Sequence, residues 1–64
     1  MKDHARLAIY GLLRLAVNHL QAALIALDKA KEVARAESVT LEGEEEARQA
    51  IVQAIRKLEE LRVS

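Results

Sequence analysis

Large apolar residues recur along the first half of the chain at Ile9, Leu13, Val17, Leu20, Leu24 and Leu27. Steps of three and four residues trace one face of an α-helix. The phase runs unbroken through Asn18 and His19, so no turn is expected there. Residues 5–36 contain no Pro and a single Gly, Gly11, and are dominated by Ala and Leu, both strong helix formers. The pattern predicts one long helix over about residues 3–36. Asp3 is a candidate N-cap beside the positive pole of the helix dipole, and Lys29, Lys31 and Arg35 suit the negative pole. The more polar text from Asp28 onward predicts greater exposure at that end than in the first half.

A second apolar set lies on the other side of this helix: Leu7, Ala8, Gly11, Leu15, Ala22, Ile25, Ala26 and Val33. It is rich in small residues, which let another backbone come close. A narrow polar line of Arg14, Gln21, Asp28 and Arg35, spaced by sevens, separates the two sets. A helix that is apolar nearly all round is normally buried. Gly11 costs about 1 kcal/mol against Ala in a helix interior. Close packing on the small-residue face is its expected reason, with a kink as the alternative.

Residues 37–40 read as a short connection. Ser38 and Thr40 are both possible N-caps. Thr40 is preferred, because Leu41 and Glu42 then open a helix with Glu44, Glu45 and Glu46 near its positive pole. The second helix is expected over about residues 41–62, with Gly43 in its first turn. Its apolar stripe is Ala47, Ala50, Ile51, Ala54, Ile55, Leu58 and Leu61, and the rest is mostly charged or amide, which is one-sided amphipathicity. Glu44 and Arg48 form an i,i+4 pair in the better orientation. Val52 falls off the stripe. The expected architecture is all-α: an antiparallel helical hairpin in a single domain over residues 1–64, assembling into a symmetric helical bundle.

Length sharpens this picture. A chain of 64 residues buries only about 60% of its unfolded surface, and small scaffolds add disulfides, metals or partner chains. There is no Cys, which excludes disulfides and thiolate metal sites and leaves partner chains. Formal charge is zero. Residues 1–35 carry six basic and three acidic groups, and residues 36–64 carry four basic and seven acidic. That split suits two helices side by side and is too mild for a nucleic-acid footprint. A secretory signal is disfavoured, since Arg14 interrupts the apolar run and no small-residue cleavage site follows. A membrane span is disfavoured too. The longest uncharged run, residues 15–27, is shorter than the roughly 20 residues a span needs, and extending it places Arg14 in the bilayer.

The candidate chemistry is sparse. His4 and His19 sit about 22 Å apart on a straight helix and cannot share a metal within one chain. Copies of His19 around a symmetry axis are the one route to zinc or to a pH switch. A packed or interfacial imidazole is the simpler reading. Asn18 is suited to fixing register in a helical interface. Glu44, Glu45 and Glu46 point in different directions and do not converge on a cation, so a solvated helix start is expected. Ser38, Thr40 and Ser64 have no base placed by spacing, and there is no Gly-rich phosphate loop. No enzyme activity, cofactor, metal or small-molecule ligand is expected.

What remains is excess apolar surface. A second helix covers one face of the first and leaves the other open. The expected interface is Leu7, Ala8, Gly11, Leu12, Leu15, Asn18, His19, Ala22, Ile25 and Ala26. The expected partner is another copy of the chain, with the N-terminal halves of the first helices at the centre. A different protein on the same face is the alternative, and a membrane-associated hairpin comes third.

The Ala/Leu/Glu/Arg-rich helices, the single short loop, the triple Glu44–Glu46 at a helix start and the closing Ala-Ile-Arg-Lys-Leu-Glu-Glu-Leu-Arg of residues 54–62 carry a resemblance. The chain resembles computationally designed (de novo) helical-hairpin homo-oligomers. The absence of Pro and Cys, with Tyr10 as the lone aromatic, points the same way, while Tyr10-Gly11 and Asn18-His19 depart from that style. The resemblance implies a self-assembling building block of a ring, bundle or cage, or else a designed binder. It leaves cell location undefined beyond soluble cytoplasmic expression.

Overall fold

The computed structural model describes residues 2–63, and Ser64 lies outside the described residues. The long periodic stretch forms one uninterrupted helix, α1 (Lys2–Ala36). The second, α2 (Glu44–Glu59), packs antiparallel against it. At ~1.5 Å per residue α1 is about 52 Å long and α2 about 24 Å. The result is a flat rod, 56 × 15 × 9 Å between Cα extremes.

The inward face of α1 is the one its apolar period marks. Val17 is buried, and Leu13, Ala16, Leu20, Ala23, Leu24 and Leu27 are half-buried around it. From α2 come Ile51, Val52, Ala54, Ile55 and Leu58, all half-buried. Val17, at 7% exposure, is the only hydrophobic side chain among the described residues to reach full burial. Two helices enclose a line of contact and not a volume, so even their inner side chains keep one flank in solvent. Leu58 closes the far end beside Leu13 and Val17, where Tyr10, Arg14, Glu59 and Leu61 complete a shallow groove of about 210 Å³.

The exposure gradient along α1 runs opposite to the polarity of its text. Lys31 and Ala34 are half-buried under the turn, whereas every described residue up to Leu12 is exposed except Arg6. The cause is the length of α2, which reaches only as far as the level of Leu13. Asp3 is not a cap: it stands inside the first turn of α1, where its carboxylate accepts a hydrogen bond of 3.4 Å from Arg6.

The connection is longer than the expected four residues and spans residues 37–43. After Ala36 the chain makes a Schellman turn. The Val39 N–H donates to the Ala34 carbonyl at 2.8 Å and the Ser38 N–H to the Arg35 carbonyl at 3.3 Å. Ser38 takes the left-handed conformation this motif requires, with φ 54°. Val39 and Leu41 then fold over Ala34 and line a depression with Lys31, Arg35 and Glu44. Thr40 is therefore not the N-cap. That position belongs to Gly43, at φ 78°, whose carbonyl accepts the first helical bond from Ala47 at 3.0 Å. α2 starts three residues later than expected and ends at Glu59, so Leu61 lies beyond it.

The face of α2 also differs in part from the expected stripe. Glu44, Arg48, Ile51, Ile55 and Leu58 turn toward α1, while Ala47 and Ala50 are exposed. Val52, off the expected stripe, is half-buried.

The two left-handed residues make opposite predictions. Ser38→Gly removes a Cβ from a conformation that disfavours one, and is expected to stabilise the fold by about 0.5–1 kcal/mol. Gly43→Ala puts one in, and is expected to destabilise by about 1–2 kcal/mol, although no neighbouring atom blocks the site. Urea denaturation reads both. Equal stability of the two variants would contradict this turn geometry.

Candidate functional site

The feature that sets this hairpin apart is the outer face of α1. Leu7 is 74% exposed, Leu12 66%, Val33 65%, Ile25 62% and Leu15 50%. Ala8, Ala22 and Ala26 lie among them, also exposed. These side chains are uncovered because α2 occupies the opposite face and the turn returns the chain to that side only. The residues expected at an interface are all exposed along this side of α1. Asn18 and His19 interrupt it near its middle and are exposed. Arg14 and Gln21 are exposed along the polar edge, as their spacing indicates.

Gly11 belongs to the same surface. A Cβ built there meets nothing within 4 Å, and α1 runs through it without a break. Within one chain Gly11 weakens the helix and gains no contact. Either close approach by something outside the chain explains it, or nothing in this structure does.

α1 is also long and apolar enough, by length and composition, to cross a membrane. One 18-residue window reaches a mean hydropathy of 1.3 and is 6% buried. Every stretch of that length within α1 includes Arg14 or Asp28, because the charge-free run covers only residues 15–27. A charge at the bilayer centre costs about 2.5–3.5 kcal/mol on insertion scales.

A second constellation sits at the turn end. The Arg48 guanidinium donates to Asp28 across the helix pair and, at 3.1 Å, to Glu44 on its own helix. Lys31 stands 3.8 Å from the same Glu44 carboxylate. The hydrogen bond to Asp28, then that to Glu44, holds Arg48 above its already high pKa. Glu44 is not part of a solvated acidic start: its side chain is 10% exposed, while Glu45 and Glu46 are exposed. The i,i+4 pairing of Glu44 with Arg48 was legible from spacing. Its extension to Asp28 and Lys31 was not, because it depends on how α2 meets α1. This cluster joins α1 to α2 and presents no open coordination site.

Among the described residues, no three His, Asp or Glu side chains gather in a metal-binding group. The depressions on the surface are shallow. One of about 600 Å³ runs along the outer side of α2 between Glu45 and Arg56. No protein-family model, curated protein or solved structure matches the chain. The reading of its function therefore rests on physical chemistry.

The turn-end cluster makes a prediction of its own. Arg48→Ala leaves the half-buried Glu44 carboxylate without its nearer cation, so the melting temperature is expected to fall. The loss should shrink at high salt, where exposed pairs are screened. Thermal melts at low and high ionic strength read this. A loss that does not change with salt would assign the effect of Arg48 to the packing of its alkyl stem.

Proposed function

We propose that the chain is a structural, non-catalytic self-assembly unit: a helical hairpin that associates with copies of itself through the outer face of α1. The observation that carries this reading is the row of large apolar side chains on α1, each half to three-quarters exposed. Monomeric proteins rarely leave contiguous apolar patches of this extent open.

Magnitudes support it. Burying the exposed parts of Leu7, Leu12, Leu15, Ile25 and Val33 contributes on the order of 5–9 kcal/mol per copy, at about 1.5–3 kcal/mol for each full side chain. Two copies contribute roughly twice that. Association loses about 4–15 kcal/mol in translational and rotational freedom. The two ranges overlap, and burial around Ala22, Ala26 and Gly11 adds to the favourable side. The small residues allow close helix approach, and closed symmetric assemblies are the commonest way to satisfy such a face. Among the roles that resemblance to designed hairpins implies, a building block fits best.

The hydropathy of α1 supports a second reading, in which its outer face is buried in lipid. Arg14 and Asp28 oppose a spanning arrangement, and Asn18 and His19 interrupt an interfacial one.

Sedimentation equilibrium in buffer without detergent tests the proposal. A mass at a multiple of 7.1 kDa is expected at micromolar concentration. Leu15→Glu, on the outer face, is expected to lower the association constant at least 100-fold while helical circular dichroism persists. A folded 7.1 kDa monomer would contradict self-assembly. Recovery of the protein with floated vesicles and not in buffer would favour the lipid reading. A chain that stays soluble only with an added protein would favour a different partner.

A further inference from the structure

The hairpin has two unlike broad sides. The ion pair between Asp28 and Arg48 marks one of them as polar. With 3.6 residues per turn, Leu12, His19, Ala26 and Ala30 of α1 fall on the other side, together with Ala47 and Ala54 of α2. All but the half-buried Ala54 are exposed. The outer face of α1 thus continues across the hairpin onto α2. A 56 × 15 Å side spans roughly 800 Å², the area each partner contributes to a standard stable interface.

The two ends are unlike as well. The turn end, residues 28–48, holds seven acidic and four basic groups. The open end, residues 2–14 and 56–62, holds six basic and three acidic. Between them, residues 15–27 of α1 and 49–55 of α2 carry no charge. One end is therefore net positive by three and the other net negative by three, on a rod longer than several Debye lengths of about 8–10 Å. Two rods side by side in parallel place like ends together. Two rods in opposite directions place each positive end on a negative one.

Side-chain volume follows the same direction. On the side away from the Asp28–Arg48 pair, Leu12 lies toward the open end and Ala26 and Ala30 toward the turn. Reversing one copy about the level of Gln21 sets Leu12 against Ala30, a large residue against a small one, which is how facing helices fill the space between them.

We propose that a second copy packs on this apolar side in the antiparallel direction, the open end of each hairpin on the turn end of the other. The twofold axis passes close to Gln21, the middle of the charge-free stretch of α1. The proposal rests on the self-association reading and adds the orientation of the partner and the level of the axis. It gives the exposed start of α1 a neighbour: the turn end of the other copy, acidic where Lys2 and Arg6 are basic.

The chain has no Cys, so nitroxide labels at Gln21→Cys and Arg35→Cys, both on the exposed polar edge of α1, report distances between copies without competing sites. The mass of each labelled protein is checked by sedimentation, and pulsed electron–electron resonance reads the distances. Antiparallel packing about Gln21 predicts more than about 40 Å between the labels at position 35, at ~1.5 Å per residue, and about 20–30 Å at position 21, across two helix diameters and the label tethers. Added salt is expected to weaken the association. Short distances at both positions would mean parallel packing and overturn the orientation while leaving self-association intact. A long distance at position 21 would overturn the axis. A 7.1 kDa mass with no coupling at either position would overturn the self-association reading itself.

Discussion

One helix with two apolar faces, and one shorter helix to cover them, is the constraint from which the rest of this structure follows. α1 offers apolar side chains along about 52 Å and α2 covers about 24 Å of one face. No arrangement of two helices encloses both faces. Among the described residues only Val17 becomes fully buried. The hydrophobic effect is proportional to area removed from water, so the unburied face of α1 is stored driving force.

The hairpin is held by a small number of devices concentrated at one end. The Schellman turn at Ser38 and Val39 satisfies the last carbonyls of α1 and folds Val39 and Leu41 over Ala34. Asp28, Lys31, Glu44 and Arg48 then fasten the two helices just past the turn. Toward the other end Leu13, Val17 and Leu58 pack together and Val17 is buried. Beyond that level the start of α1 has no helix beside it. The charges lie at the two ends with an uncharged middle, so the same division that closes the turn makes the rod electrically polar from end to end.

The long helix was legible because nothing interrupts its period and its residues favour helix throughout. The inner face followed from that period. The turn was misread for a definite reason. Capping preference favours Thr40, but after the left-handed Ser38 the chain still has to carry Val39 and Leu41 back over Ala34, and α2 opens only at Gly43. Of the expected α2 stripe, Ile51, Ala54, Ile55 and Leu58 do turn inward. Ala47 and Ala50 do not, because Ala fits either side of an interface. Glu44, expected at a solvated helix start, takes an inward place with Arg48. Paired with each other, with Lys31 and with Asp28, they occupy positions facing α1. The outer face of α1 was legible as a surplus of apolar residues on a second stripe. The continuation of that surface onto Ala47 and Ala54 was not, since it depends on which side of the pair carries the Asp28–Arg48 link.

The most direct measurement is the dependence of folding on protein concentration. Urea unfolding, followed by helical circular dichroism over a hundredfold range of chain concentration, asks whether the hairpin relies on copies of itself. The account predicts a midpoint that rises steadily with concentration, because unfolding then separates copies as well as helices. A midpoint that stays constant across the range, with a steep cooperative transition, would show that the single hairpin is stable with its second face in water, and would contradict the account.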